Sequence, residues 1–76
     1  MSLSIILNGQ SRLLEGLSGA ASVDGVVAAL GLKGDRVAVE LNGEIVPRSG
    51  WTATSVNNGD RIEVVHFVGG GAISSN

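Results

Sequence analysis

The fold of this chain is decided near its N-terminus, by the stretch Leu3-Ser4-Ile5-Ile6-Leu7-Asn8-Gly9-Gln10-Ser11-Arg12-Leu13-Leu14-Glu15. Leu3, Ile5 and Leu7 recur at every second position, which is the period of a strand with one buried face. Asn8-Gly9 follows as a strong hairpin signal, because both residues tolerate a positive φ. The stretch therefore predicts two antiparallel strands joined by a tight turn.

The rest of the chain adds a helix and further strands. Ser22 is the predicted N-cap of a helix whose apolar residues recur at i, i+3, i+4 and i+7: Val23, Val26, Val27 and Leu30. Alternation predicts strands over 36–42 and 61–68, with a short extended piece over 44–46 after a second Leu-Asn-Gly turn. Residues 48–57 read as irregular, with Trp51 covering one end of the core. This order predicts an α+β fold of the ubiquitin-like β-grasp type, a mixed sheet with one main helix packed on one face.

Composition excludes several classes of protein. A chain of 76 residues without cysteine predicts one domain with no disulfide, no thiolate metal site and a cytoplasmic location. A net charge of −2 with five Lys and Arg argues against nucleic-acid and anionic-membrane partners. The single histidine, His66, lies in a predicted strand without a nearby carboxylate pattern, so we expect neither a catalytic side chain nor a metal site.

The C-terminus carries the feature that points to a function. We expect residues 1–68 to form the β-grasp domain and residues 69–76 a flexible tail with the glycine arm Gly69-Gly70-Gly71. Glycine has no Cβ, so such an arm can enter a narrow slot in another enzyme. Val65 and Phe67 would point away from the helix and form a docking patch beside the arm, unless residues 48–57 fold over them.

Two segments together carry a family resemblance. The first is Asn42-Gly43-Glu44-Ile45-Val46-Pro47-Arg48, and the second is Val65-His66-Phe67-Val68-Gly69-Gly70-Gly71. With the flanking residues they closely resemble the ThiS family, sulfur carriers of bacterial thiamine biosynthesis, and the likeness runs from Ser4 to Gly71.

The resemblance implies a protein co-substrate rather than an enzyme. Gly71 would be the site of adenylation and thiocarboxylate formation, and Gly69 and Gly70 would be recognised in the tail. A ThiF-like, E1-type adenylyltransferase would activate the carboxylate with ATP and a metal ion that belong to that enzyme, so this chain would bind no cofactor itself. A cysteine desulfurase or related donor would supply sulfur, and a ThiG-like thiazole synthase would consume it to build the thiamine thiazole ring.

One departure from the family pattern bears on this chemistry. The family normally ends at the diglycine, whereas Ala72-Ile73-Ser74-Ser75-Asn76 follows here. These residues are either a native extension, which a protease would trim to free Gly71, or an addition to the natural chain. Two alternatives stay open: a sulfur carrier like the small subunit of molybdopterin synthase, and a β-grasp interaction module whose tail does no chemistry.

Overall fold

The computed structural model describes residues 1–66, which form a five-stranded sheet with a helix against one face. The elements, in chain order, are β1 (Ser2–Leu7), β2 (Gln10–Glu15), β3 (Ala21–Ser22), α1 (Val23–Ala29), β4 (Val37–Leu41), β5 (Glu44–Val46), β6 (Ser55–Val56) and β7 (Arg61–His66). The sheet order is β2-β1-β7-β4-β5, with β1 and β7 parallel and the other neighbours antiparallel. This is the predicted mixed sheet, with the last strand at its centre.

Local sequence explains where these elements begin and end. The Ser22 Oγ accepts a hydrogen bond from the Gly25 N–H at 2.9 Å, so the predicted N-cap of α1 is confirmed. Both Leu-Asn-Gly tripeptides form tight turns, with φ of 49° at Asn8 and 52° at Asn42. The left-handed conformation favours Asn and Gly over other residues, which is why the same tripeptide serves twice.

The core lies between α1 and one face of the sheet. It joins the helix residues Val23, Val26 and Val27 to the inward-facing strand residues, among them Leu3, Ile5, Val39 and Ile62. Trp51 is 3% exposed and belongs to this core, so the predicted role of its ring is confirmed.

Residues 48–57 are more ordered than predicted. They hold a 3₁₀ turn over Arg48–Gly50 and the strand β6, which pairs antiparallel with β3. The pairs Ala21–Val56 and Ser22–Ser55 make a two-stranded sheet beside α1. Strands of two residues are too short to show alternation, which is why the sequence did not predict them.

Several expectations fall outside the described residues. The boundary between the domain at 1–68 and the tail at 69–76 belongs there, as do Phe67 and the glycines 69–71. Within residues 1–66, no helix is long and apolar enough to cross a membrane.

Candidate functional site

Strand β7 leads toward the glycine run and is held between β1 and β4. Its residues alternate as predicted: Ile62 and Val64 are buried, while Val65 is 60% exposed on the face opposite α1. Residues 48–57 do not cover Val65, because Trp51 and Val56 in that segment pack into the core on the helix side. The structure therefore leaves Val65 accessible, and its docking role stays a prediction.

The surface around Val65 mixes apolar and acidic side chains. Ala38 lies directly opposite Val65 on β4, and Ile45 on β5 is 73% exposed on the same face. Glu40 and Glu63 lie directly opposite each other on the next outward-facing rung. Like charges at such cross-strand positions, roughly 4.5–5.5 Å apart at Cβ, oppose folding. We call the outward-facing residues Ala38, Glu40, Ile45, Glu63 and Val65 the outer patch.

The side chain of Asn8 holds β7 where β1 no longer reaches it. The parallel pairing of β1 with β7 extends only to Leu7 and Ile62. Beyond it, the Val64 N–H donates to Oδ1 of Asn8 at 2.8 Å, and Nδ2 of Asn8 donates to the Val64 carbonyl oxygen at 3.3 Å. The side-chain amide of Asn8 thus replaces the partner that β1 would have supplied, and it satisfies both the N–H and the carbonyl oxygen of Val64.

The second Leu-Asn-Gly turn contacts the opposite end of β7. The Arg61 N–H donates to Oδ1 of Asn42 at 2.9 Å, and Nδ2 of Asn42 donates to Oδ1 of Asp60 at 3.2 Å. Unlike the Asn8 contacts, these hydrogen bonds are exposed to solvent. The sequence pattern identified both turns but not these side-chain contacts, because each asparagine meets a strand far away along the chain.

A shallow cleft lies beside His66, the last described residue. It has a volume of about 320 Å³ and is lined by Gly31, Leu32, Lys33, Arg36 and His66. His66 is exposed and pairs in register with Val37. In the part of the chain that the structure describes, no three His, Cys, Asp or Glu side chains are grouped so as to hold a metal ion.

Comparison with known families identifies the chain at this point. The model of the ThiS family matches residues 5–71, which include nearly the whole described domain and the glycine run. The chain belongs to the ThiS family. The resemblance carried by the Asn42–Arg48 and Val65–Gly71 segments is therefore confirmed.

A solved structure and a further curated protein are similar to this chain over most of its length. The crystal structure of the thiamine biosynthesis protein ThiS from Geobacter metallireducens superposes with a TM-score of 0.76 at 34% identity, covering 91% of this chain and 100% of that chain. A protein of Pyropia yezoensis, uncharacterized protein ycf40, is 35% identical over 91% of this chain and 93% of its own length.

A third ThiS-like match lies inside a much longer protein. The thiazole synthase of Paramagnetospirillum magneticum is 39% identical over 92% of this chain, yet the chain spans only 21% of that relative's length. In that organism a ThiS-like segment is therefore part of the same polypeptide as a protein named thiazole synthase.

Proposed function

We propose that this ThiS-family chain carries sulfur as a thiocarboxylate on Gly71, for synthesis of the thiamine thiazole ring. The observation that carries the proposal is the family match, whose range ends on Gly71, the last residue of the glycine run. The names of the relatives, thiamine biosynthesis protein and thiazole synthase, favour this pathway over that of molybdopterin.

The chemistry begins with activation of a poor electrophile. A carboxylate oxygen of Gly71 attacks the α-phosphate of ATP, and pyrophosphate leaves, giving an acyl-adenylate. The terminal sulfur of a persulfide then attacks the carbonyl carbon and AMP leaves, giving an acyl disulfide. A thiol reduces that disulfide and releases the thiocarboxylate, whose sulfur passes to the thiazole precursor.

This chain supplies a handle rather than a catalytic group. Gly69 and Gly70 have no side chain to obstruct a narrow slot, and Val65 with Phe67 provides the apolar docking surface. ATP and its metal ion belong to the activating enzyme, an E1-type adenylyltransferase of the ThiF kind.

The other partners follow from the same chemistry. A cysteine desulfurase or related enzyme supplies the persulfide. A thiazole synthase receives the sulfur, and the ThiS-like segment within the thiazole synthase of P. magneticum supports that partnership. Gly71 is joined to Ala72 by an amide in this sequence, so a protease must cut that bond before a carboxylate is available.

Intact mass tests the proposed chemistry directly. The uncut chain and a form ending at Gly71 are incubated with a ThiF-like enzyme, ATP, Mg²⁺, a persulfide donor and a thiol. The form ending at Gly71 should become about 16 Da heavier, since one oxygen is replaced by sulfur. A form ending at Gly70 is the matched control for the position of the carboxylate. An equal gain by the uncut chain would refute the need for cutting, and no gain by any form would refute sulfur carriage.

Calorimetry tests the docking surface. Burying a valine side chain contributes about 1.5–3 kcal/mol, so Val65→Ser should weaken binding to the adenylyltransferase roughly 10- to 100-fold. Leu13→Ser is the matched control, because Leu13 is 57% exposed on the same face of the sheet but lies on the edge strand β2. Equal affinities of the two variants would show that the outer patch is not the docking surface.

A further inference from the structure

The cations of this acidic chain are concentrated at one place. Three of its five Lys and Arg residues, Lys33, Arg36 and Arg48, lie on or against the segment 33–36. Nε and Nη2 of Arg48 lie 3.8 Å from the position that a Cβ on Gly34 would take. Asp35 is the carboxylate within that segment, so the local balance is positive while the whole chain carries −2.

This positive region lies beside His66, the last described residue, which precedes Gly69 by three positions in the sequence. Lys33 and Arg36 line the cleft beside His66, which follows Val65 in the chain but points to the helix side of the sheet by the alternation of β7. Glu40 and Glu63 lie farther along the sheet, on the other side of Val65 from the cleft. The acidic residues Glu40 and Glu63 therefore lie on the outer face of the sheet, and the basic cleft lies at the His66 end of β7 on the helix side.

We propose that the cleft lined by Lys33, Arg36 and His66 is an electrostatic docking site for an acidic surface on the activating enzyme. This inference rests on the proposed function. It adds that the surface of the activating enzyme around the slot that receives the glycines is acidic. Because the cations flank the chain just before its glycines, an acidic rim would attract the carrier in the orientation that aims Gly71 inward.

The geometry favours a protein surface over a small bound anion. Lys33 and Arg36 are both exposed, and no polar or charged side chain among residues 1–66 is buried. A small anion in this open cleft would keep most of its water, since no buried donors converge on it. A single exposed ion pair contributes little to affinity, whereas a field from several charges raises the rate of association.

Association kinetics tests the proposal. The form ending at Gly71, which retains every described residue, is mixed with the adenylyltransferase in a stopped-flow instrument at several salt concentrations. Lys33→Gln combined with Arg36→Gln should lower the association rate constant about tenfold at low salt, and the loss should shrink as salt screens the field. The dissociation rate constant should change less than about twofold, because exposed pairs are weak once formed.

A double variant with the same net charge serves as the control. Arg12→Gln combined with Arg61→Gln removes two positive charges from β2 and from the opposite end of β7, and should change the association rate constant less than about twofold. The charge-preserving swap Lys33→Arg with Arg36→Lys should restore the rate, which separates charge from any structural effect. Far-UV circular dichroism verifies that each variant is folded.

The outcomes distinguish the two levels of inference. Equal losses in both double variants would overturn the docking site while leaving sulfur carriage intact. Saturable shifts in the amide resonances of residues 31–36 on titration with inorganic phosphate alone would also overturn it, in favour of a small-anion site. If the unsubstituted form ending at Gly71 did not associate with the adenylyltransferase, the proposed function would be refuted, and this inference with it.

Discussion

Replacing Asn8 by glycine removes the side-chain amide that satisfies Val64 and leaves the turn intact. Glycine adopts the φ of 49° without strain, so the backbone of the hairpin is not disturbed. The variant loses the 2.8 Å bond from the Val64 N–H and the 3.3 Å bond to the Val64 carbonyl oxygen, both partly buried. Each hydrogen bond contributes about 0.5–1.5 kcal/mol, so losing both should lower the free energy of unfolding by about 1–3 kcal/mol.

A second loss comes from the unfolded state, and the chain itself provides the control for it. Glycine gives the unfolded chain more freedom, which lowers the free energy of unfolding by about 0.4–1 kcal/mol. Asn42→Gly carries the same penalty in the same Leu-Asn-Gly context, but the bonds it removes are exposed and are replaced by water. We therefore expect Asn8→Gly to be less stable than Asn42→Gly by about 1–2 kcal/mol.

Urea unfolding, followed by the fluorescence of Trp51, measures this difference. In thermal unfolding the same difference should appear as a lower Tm, by roughly 4–8 °C per kcal/mol for a domain of this size. Hydrogen exchange gives a local measurement, because the Val64 amide should exchange about tenfold faster for each 1.4 kcal/mol lost. Equal stabilities of the two variants, with unchanged exchange at Val64, would refute the inference that Asn8 secures β7.

Three further predictions concern the core and the outer patch. Trp51→Phe removes the indole N–H that donates to the Val46 carbonyl oxygen at 2.9 Å, and should lower the free energy of unfolding by about 2–4 kcal/mol. Urea unfolding followed by circular dichroism measures this change, and wild-type stability would mean that the hydrogen bond and the lost ring volume contribute nothing. Gly34→Ala would place its Cβ 3.1 Å from Cζ3 of that buried ring and should lower the free energy of unfolding by about 1 kcal/mol, whereas a rise would show that the ring can shift. Glu40→Gln removes the repulsion with Glu63 and should raise stability by about 0.2–1 kcal/mol at low salt, an increase that fades in high salt; a salt-independent change would have another cause.

The sequence predicted those parts of the fold that depend on neighbouring residues. The alternation in β1 and β7 depends on residues two positions apart, and the cap at Ser22 depends on the N–H of Gly25 three positions away. The exposure of Val65 follows from the same alternation, once the helix is placed on the other face. These features are local, so a single sequence contains all the information that they need.

The parts that could not be predicted join distant residues. Asn8 bonds to Val64 across 56 positions, and its turn-forming role gives no sign of that second use. The cleft brings Lys33 and Arg36 beside His66 only because Val37 pairs in register with that histidine. Register and side-chain reach are set by the packed sheet, and no pattern in a short window reveals them.

The positions of the two Leu-Asn-Gly turns explain how a small domain can hold its last strand firmly. Each asparagine is selected first by the turn, because it tolerates the left-handed backbone that a β-branched or bulky residue would resist. Each side-chain amide then lies beside the central strand: that of Asn8 bonds to Val64, and that of Asn42 bonds to Arg61. Strand β7 is thereby fixed near both ends by residues that the hairpins required anyway. Strand β7 is therefore held by side chains from both hairpins, while its outward-facing residue Val65 takes no part in the core and stays exposed.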